Sequence, residues 1–201
     1  MKRLLALAAW GLAAAAEPRL FYSKSFPGST PEFVAIALAR NGEAEYREAA
    51  DDDRPLKFRL RQSEAGEIFA LAEKLGWFSR PLESPLKVAF MGMKTFGVER
   101  GGRKTEVKFN FSEDLDARAL ADWFERITES EQHLIALERA AKYDRLGINR
   151  AVLQFESAWT RNRLVALDQY LPILDRIAKN EVYLHMARQR AAALGEAIRA
   201  K

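Results

Sequence analysis

The chain has 201 residues, 32 Lys+Arg against 28 Asp+Glu, two His and no Cys. That balance excludes a disulfide scaffold, a thiolate metal site, a cysteine nucleophile and thioether haem attachment. Two histidines cannot build a three-histidine zinc site. A hydrophobic fraction of 48% beside 30% charged residues is a globular mixture, not a disordered one.

Residues 1–16 have the order of a secretory signal peptide. Lys2 and Arg3 form a positive start, Leu4 to Leu12 a short apolar run, and Ala14-Ala15-Ala16 a small-residue cleavage site before Glu17-Pro18. The expectation is a periplasmic or secreted protein, cleaved after Ala16 and left without a permanent membrane anchor, since the apolar run is too short to span a bilayer. Loss of Lys2 and Arg3 lowers the net charge from +4 to +2. A mildly positive exported chain gives little support for a nucleic-acid partner.

Residues 17–112 read as a sheet with one helix. Leu20 to Ser23 is a short strand, and Phe26 to Pro31 a loop. Phe33 to Ala39 puts Val34, Ile36 and Leu38 on one face. Asn41-Gly42 marks a hairpin turn into Glu43–Arg47, since both positions tolerate positive φ. Leu56 to Arg61 alternates, with Leu56, Phe58 and Leu60 opposite Lys57, Arg59 and Arg61. Ser63 is a fitting cap for a helix carrying Ile68, Leu71, Ala72 and Leu75, stopped by Gly76. Trp77 and Phe78 are expected to pack back onto the sheet. Residues 79–92 are irregular, and Gly101-Gly102 turns a second hairpin between strands 94–99 and 104–111.

Residues 113–201 read as all-helical. Asp114 caps a long helix whose Leu120, Trp123, Ile127, Ser130, Leu134, Leu137 and Ala141 recur at alternating steps of three and four, with an end near Leu146-Gly147. Asn149 and Asp168 are expected caps of the next two helices, and Asn180 precedes a last one using Ala187, Ala191, Leu194 and Ile198. The expected class is α+β: an N-terminal antiparallel sheet with one packed helix, then a C-terminal all-helical region of about four helices.

No constellation of catalytic residues stands out. His133 and His185 lie on separate helices without a metal-ligand spacing. Ser84-Pro85-Leu86-Lys87 matches a serine–lysine pattern but lacks its supporting motifs. Gly92 to Gly97 has phosphate-loop glycine spacing, yet Val98 and Glu99 stand where Lys and Ser/Thr belong. Asp51-Asp52-Asp53 reads as a solvated turn rather than a calcium loop. Glu32, Glu83 and Glu99 flank loops, and a carboxylate pair for hydrolysis can be distant in sequence. No cofactor is expected and no metal. The one feature that points to a partner is the polar side of the sheet, where Lys57, Arg59, Arg61, Lys104 and Lys108 would lie together, partly neutralised by Glu43, Glu45 and Glu106.

Phe26 to Phe33, Asn41-Gly42 and Leu75-Gly76-Trp77-Phe78 resemble uncharacterised exported bacterial domains over about residues 20–128. In those domains a signal peptide precedes a Gly/Pro loop, a strand hairpin, a helix ending in a Leu-Gly-aromatic step and another hairpin. They often carry two cysteines around the Gly/Pro loop; Ser25 and Thr30 stand near those places here, so a redox or disulfide role is excluded. The resemblance implies a fold and a compartment, and transfers no activity. The expected function is a non-catalytic interaction or scaffold protein of the cell envelope, meeting a protein or an anionic envelope polymer. The basic sheet face, the loop around residues 79–92 or the helical surface would supply the contact. The alternative is a carboxylate-dependent hydrolase of envelope polymers.

Overall fold

The structure, a computed structural model, describes residues 17–200. The expected signal peptide lies outside the described residues. Alternating sequence builds the sheet, because successive strand side chains point to opposite faces. Strand β1 (Arg19–Ser25) buries Leu20 and Tyr22, and β2 (Phe33–Ala39) buries Val34, Ile36 and Leu38 on the same side. Strands β3 (Glu43–Arg47) and β4 (Leu56–Arg59) add Ala44, Tyr46 and Phe58, while β5 (Met93–Arg100) and β6 (Arg103–Phe109) add Phe96, Val98 and Phe109.

All six strands form one antiparallel sheet in the order β4-β3-β2-β1-β5-β6. The first strand of the chain is therefore central. Its Tyr22 lies between Ile36 of β2 and Phe96 of β5, so the inward residues of three strands stand abreast. The hairpin forms at the expected place, but through three residues, Arg40 to Gly42, of which only Gly42 takes positive φ, at +85°. A Cβ there would sit 2.5 Å from the Leu60 carbonyl oxygen. Only glycine lets the chain after β4 pass this close.

Helix α1 (Gln62–Lys74) lays Ala65, Ile68, Phe69 and Ala72 on the sheet. It starts before the expected Ser63 cap: Arg61 takes the capping position, and its N–H donates to the Glu64 carboxylate at 2.8 Å. A short 3-10 turn, Gly76–Phe78, then returns Phe78 to the core at 5.3 Å from the Phe96 ring.

Helix α2 (Leu115–Tyr143) is capped by Asp114, whose carboxylate accepts from the N–H groups of Asp116 and Ala117 at 2.9 and 3.1 Å. Ala117, Leu120, Phe124 and Ile127 bury against the sheet, where Phe124 stacks on Tyr22 at 4.6 Å. Further along, Leu137 and Ala140 join a second apolar cluster with α3 (Ile148–Thr160), α4 (Leu171–Lys179) and α5 (His185–Arg199). One helix thus walls two cores. Between them lies the polar member of its stripe. The Ser130 hydroxyl accepts the Val165 N–H at 2.9 Å, and the Ser130 carbonyl accepts the Tyr170 hydroxyl at 2.6 Å. That pair docks the α3–α4 connection.

The α+β class is borne out, but two helices, α1 and α2, pack on the sheet where one was expected. Helix α2 ends at Tyr143, not near Gly147, because the Asp144 carboxylate accepts the Gly147 N–H at 2.9 Å and turns the chain. Asn149 then lies inside the first turn of α3, and Asp168 lies in a 3-10 turn, Leu167–Tyr170, ahead of α4.

Candidate functional site

The five basic residues singled out in sequence do not form one patch. Lys57 and Arg59 lie on β4, at one edge of the sheet, and Lys104 and Lys108 on β6, at the other. Five strand spacings separate the edges, about 24 Å. Arg61 leaves the polar face altogether. Strand β4 ends at Arg59, so Arg61 opens α1 and its guanidinium reaches Asp168 at 3.1 Å on the helical side. The remaining charges are largely matched in place. Arg59 meets Glu43 at 2.6 Å, Arg19 meets Glu45 at 3.4 Å, and Glu106 lies 3.7 and 3.8 Å from Lys104 and Lys108. The largest depression over this face, about 660 Å³, is lined by those same alternating charges, Arg19, Glu43, Glu45, Lys57 and Arg59. Between the edges the floor carries the small residues Ser23, Ala35, Ala37, Thr95 and Gly97 together with Arg47 and Phe21, whose ring has Arg19 at 5.6 Å and Lys104 at 5.9 Å.

The acidic residues weighed for hydrolysis are not gathered either. Glu32 accepts the Gly28 N–H at 3.0 Å, and Glu83 accepts the Asn110 N–H at 2.5 Å. Glu99 lies six residues beyond Met93 on β5, about 20 Å along the strand. Ser84 donates to Glu113 at 2.9 Å and accepts the Leu86 N–H, while Lys87 points to solvent. Gly92 precedes β5, so the glycine-spaced segment is a strand and its entrance. His133 packs edge-on to Phe155 at 6.4 Å, and burial holds its imidazole below the usual range. His185 opens α5 and is exposed. Among the described residues, no three His, Cys, Asp or Glu side chains converge as metal ligands would.

The site that stands out lies at the end of the sheet where β1 finishes and β5 begins. Two loops leave there, residues 26–32 and 84–92. The second carries seven consecutive exposed positions, Pro85 to Met91, with Lys87 as the sole charge among them. Leu86 is 55% exposed and Phe90 52%; Val88, Met91 and Met93 are exposed as well. Elsewhere Tyr143 and Leu146 are exposed beside charged residues, and Val182, Leu184 and Met186 form a shorter exposed group interrupted by buried Tyr183 and by His185. A continuous apolar patch on a folded chain marks a contact surface.

This loop is held, not loose. Ser84 N–H donates to the Phe111 carbonyl at 2.8 Å, anchoring one end. The Asn110 side chain anchors the other, donating to the Ala89 carbonyl at 3.0 Å and accepting the Met91 N–H at 2.7 Å. Gly92 has φ +93°, and a Cβ there would lie 3.0 Å from both Lys24 Cε and Phe26 Cβ. That close approach brings Phe90 edge-on to Phe26, centroids 5.8 Å apart. The Phe26 loop is equally tied, since Ser29 Oγ lies 2.7 Å from the carbonyl oxygens of both Phe26 and Pro31 and donates its one proton between them. Beneath the loops, Lys94 Nζ donates to the Asn110 carbonyl at 3.0 Å. Burial lowers the Lys94 pKa, with Lys24 adding to the effect and Glu125 and Glu83 opposing it. Lys24 itself pairs with Glu125 at 3.1 Å.

Sequence reasoning named this loop only as one of three possible contact regions. The signal was legible: a stretch free of helix and strand periodicity that still carries Leu86, Val88, Phe90 and Met91. The pairing of Phe26 with Phe90 was not legible, because it depends on Ser25 and Met93 sharing a register across β1 and β5. No protein-family model and no curated protein matches this chain.

Proposed function

We propose that this chain is an exported, non-catalytic interaction protein of the cell envelope, and that its binding surface is loop 84–92 with Phe26. The observation that carries the reading is the run of exposed apolar side chains on a loop pinned at both ends. A pinned loop presents its side chains with little ordering cost on binding, which is what a contact surface needs. The depression over β3 and β4 is lined by paired charges such as Arg59 and Glu43, which gives less to a partner. The export part of the reading rests on residues 1–16, and it expects protein recovered outside the cytoplasm to begin at Glu17, as N-terminal sequencing would show.

The test is co-sedimentation of the purified exported protein with envelope fractions, in parallel with Phe90→Ser/Met91→Ser and Lys57→Glu/Arg59→Glu variants. The reading expects the loop variant to lose at least about tenfold in bound fraction, the scale of removing two large apolar anchors. It expects the Lys57/Arg59 variant to bind as the parent does. The reverse pattern would move the contact to the sheet face.

A further inference from the structure

The connection between α3 and α4, residues 161–170, bridges the two apolar clusters. It buries Val165 and Ala166 in the sheet's cluster and Leu164, Leu167 and Tyr170 in the helical one. It is strapped along α2 by a row of polar contacts. Arg163 reaches Asp122 at 2.6 Å and Glu129 at 2.9 Å. The Val165 N–H donates to the Ser130 hydroxyl, and the Tyr170 hydroxyl to the Ser130 carbonyl. Gln169 Nε2 donates to Glu131 Oε1 at 2.8 Å. Arg61 of α1 adds a contact to Asp168 at 3.1 Å.

Closing this strap has a cost. Asn162 and Ala166 take φ of +55° and +50°, the left-handed region that suits glycine better than a side chain. The closed strap also leaves Glu131 with no exposed surface, and Glu131 Oε2 without a hydrogen-bond partner. A buried carboxylate needs compensating donors or cations.

The surroundings supply one donor and no cation. The Tyr46 hydroxyl faces Glu131 from β3, and the Tyr170 hydroxyl and Gln169 amide face it from the strap. Both hydroxyls donate elsewhere, to Glu48 and to the Ser130 carbonyl. The charged groups of the neighbourhood are Glu129 and Glu138 on α2, Arg161, Arg163 and Asp168 on the strap, and Arg61 at the start of α1. Of these, Glu138 acts on the Glu131 carboxyl, and it opposes ionisation as burial does. The closed strap therefore favours the protonated acid, with its pKa raised to about 7. Release into water restores the ordinary value of 4.5. Opening the strap then releases a proton. The opening equilibrium rises with pH between about 4.5 and 7, by up to about tenfold per pH unit, and levels off above.

We propose that Glu131 is a pH-sensitive latch on strap 161–170. Protonated, it lets the strap close over α2; ionised, it loosens the strap and with it this bridge between the two clusters.

The experiment is hydrogen exchange read by mass spectrometry on the purified protein at pH 5 and pH 8, corrected for the intrinsic pH dependence of exchange. In the parent, protection over residues 161–170 falls more than about tenfold from pH 5 to pH 8, while β1 and β2 change less than about twofold. In Glu131→Gln the strap's protection is level over the same range. Tyr170→Phe removes one strap bond and leaves the carboxyl in place. It lowers strap protection at both pH values and keeps the parent's pH dependence. The proposal is overturned by a strap whose protection is level with pH in the parent. It is overturned equally by a fall shared in full by β1 and β2, which would belong to the whole molecule, or by the same fall in Glu131→Gln. Parent and Tyr170→Phe decide the matter without Glu131→Gln, since loss of the pH dependence in Tyr170→Phe also contradicts a latch at Glu131.

Discussion

Glu131 is the residue whose chemistry departs furthest from its sequence setting. It lies on α2, where a solvated helix face would suit a carboxylate, yet it has no exposed surface. Its Oε1 accepts from Gln169 Nε2 at 2.8 Å, and its Oε2 has no partner. The hydroxyls of Tyr46 and Tyr170 and the Glu138 carboxylate are the titratable groups that interact with it. Burial raises its pKa from 4.5 to about 7, with the Gln169 bond opposing and Glu138 adding to the rise. The folded chain therefore holds a proton that the unfolded chain has released. This contribution to stability is complete below about pH 4.5 and is lost as pH rises through about 7. Glu131→Gln keeps the shape and removes the ionisation. We expect it to match the parent's melting temperature near pH 4.5 and to exceed it at pH 8, by about 3 kcal/mol of stability. Thermal melts at the two pH values check this, and an equal offset at both would contradict it. Nothing in the sequence marks Glu131, because its burial depends on the α3–α4 connection folding over Ser130.

At the scale of elements, the reading of the sequence succeeded where a local rule decides. The hairpin at Gly101-Gly102 and the Asp114 cap follow from a backbone requirement and a side-chain bond and formed as expected, and the hairpin at Asn41-Gly42 formed in place with Arg40 added to its turn. Expectations failed where two caps compete within a few residues. Asp144 and Gly147 both can end α2, and the carboxylate of the first bonds the N–H of the second. Lys57, Arg59 and Arg61 keep perfect alternation, yet Arg61 is drawn off by the start of α1 and by Asp168. The apolar loop is itself an element with one critical position. Gly92→Ala forces a side chain into positive φ and against Lys24 and Phe26. We expect a loss of about 1–3 kcal/mol together with displacement of Phe90 from Phe26. Melting temperature and the ring-current shifts of the Phe26 resonances would report it; unchanged shifts would mean the loop is not fixed by this contact.

For the whole molecule, the deciding feature is that α2 belongs to both apolar clusters. The change of composition near residue 113 is real, since strands stop and helices begin there. It does not mark where the first core ends, because Leu120, Phe124 and Ile127 complete the sheet's cluster from beyond it. Periodicity predicts which face of a helix is buried, but not which partner buries each turn. Sharing a helix couples the two clusters. Ile127→Ala in the first and Leu137→Ala in the second should each cost about 2–5 kcal/mol. Each should lower one common calorimetric transition, with agreement between calorimetric and van't Hoff enthalpies. Two transitions, each moved by only one of the variants, would show that the clusters melt separately. The same architecture sets the two sheet ends apart. The turns at residues 40–42 and 101–102 lie at one end, while the pinned apolar loops lie at the other beside the acidic β3–β4 connection, residues 48–55.

The absence of cysteine from the chain allows the binding surface to be located by single-site labelling. Phe90→Cys and Arg59→Cys each create a single labelling position, one on the apolar loop and one on the sheet face. Each carries a polarity-sensitive fluorophore and is titrated with native envelope fractions. A blue shift at position 90 with none at position 59 is the predicted result. A shift at position 59 alone, or none at either, would contradict the assignment of the loop as the binding surface.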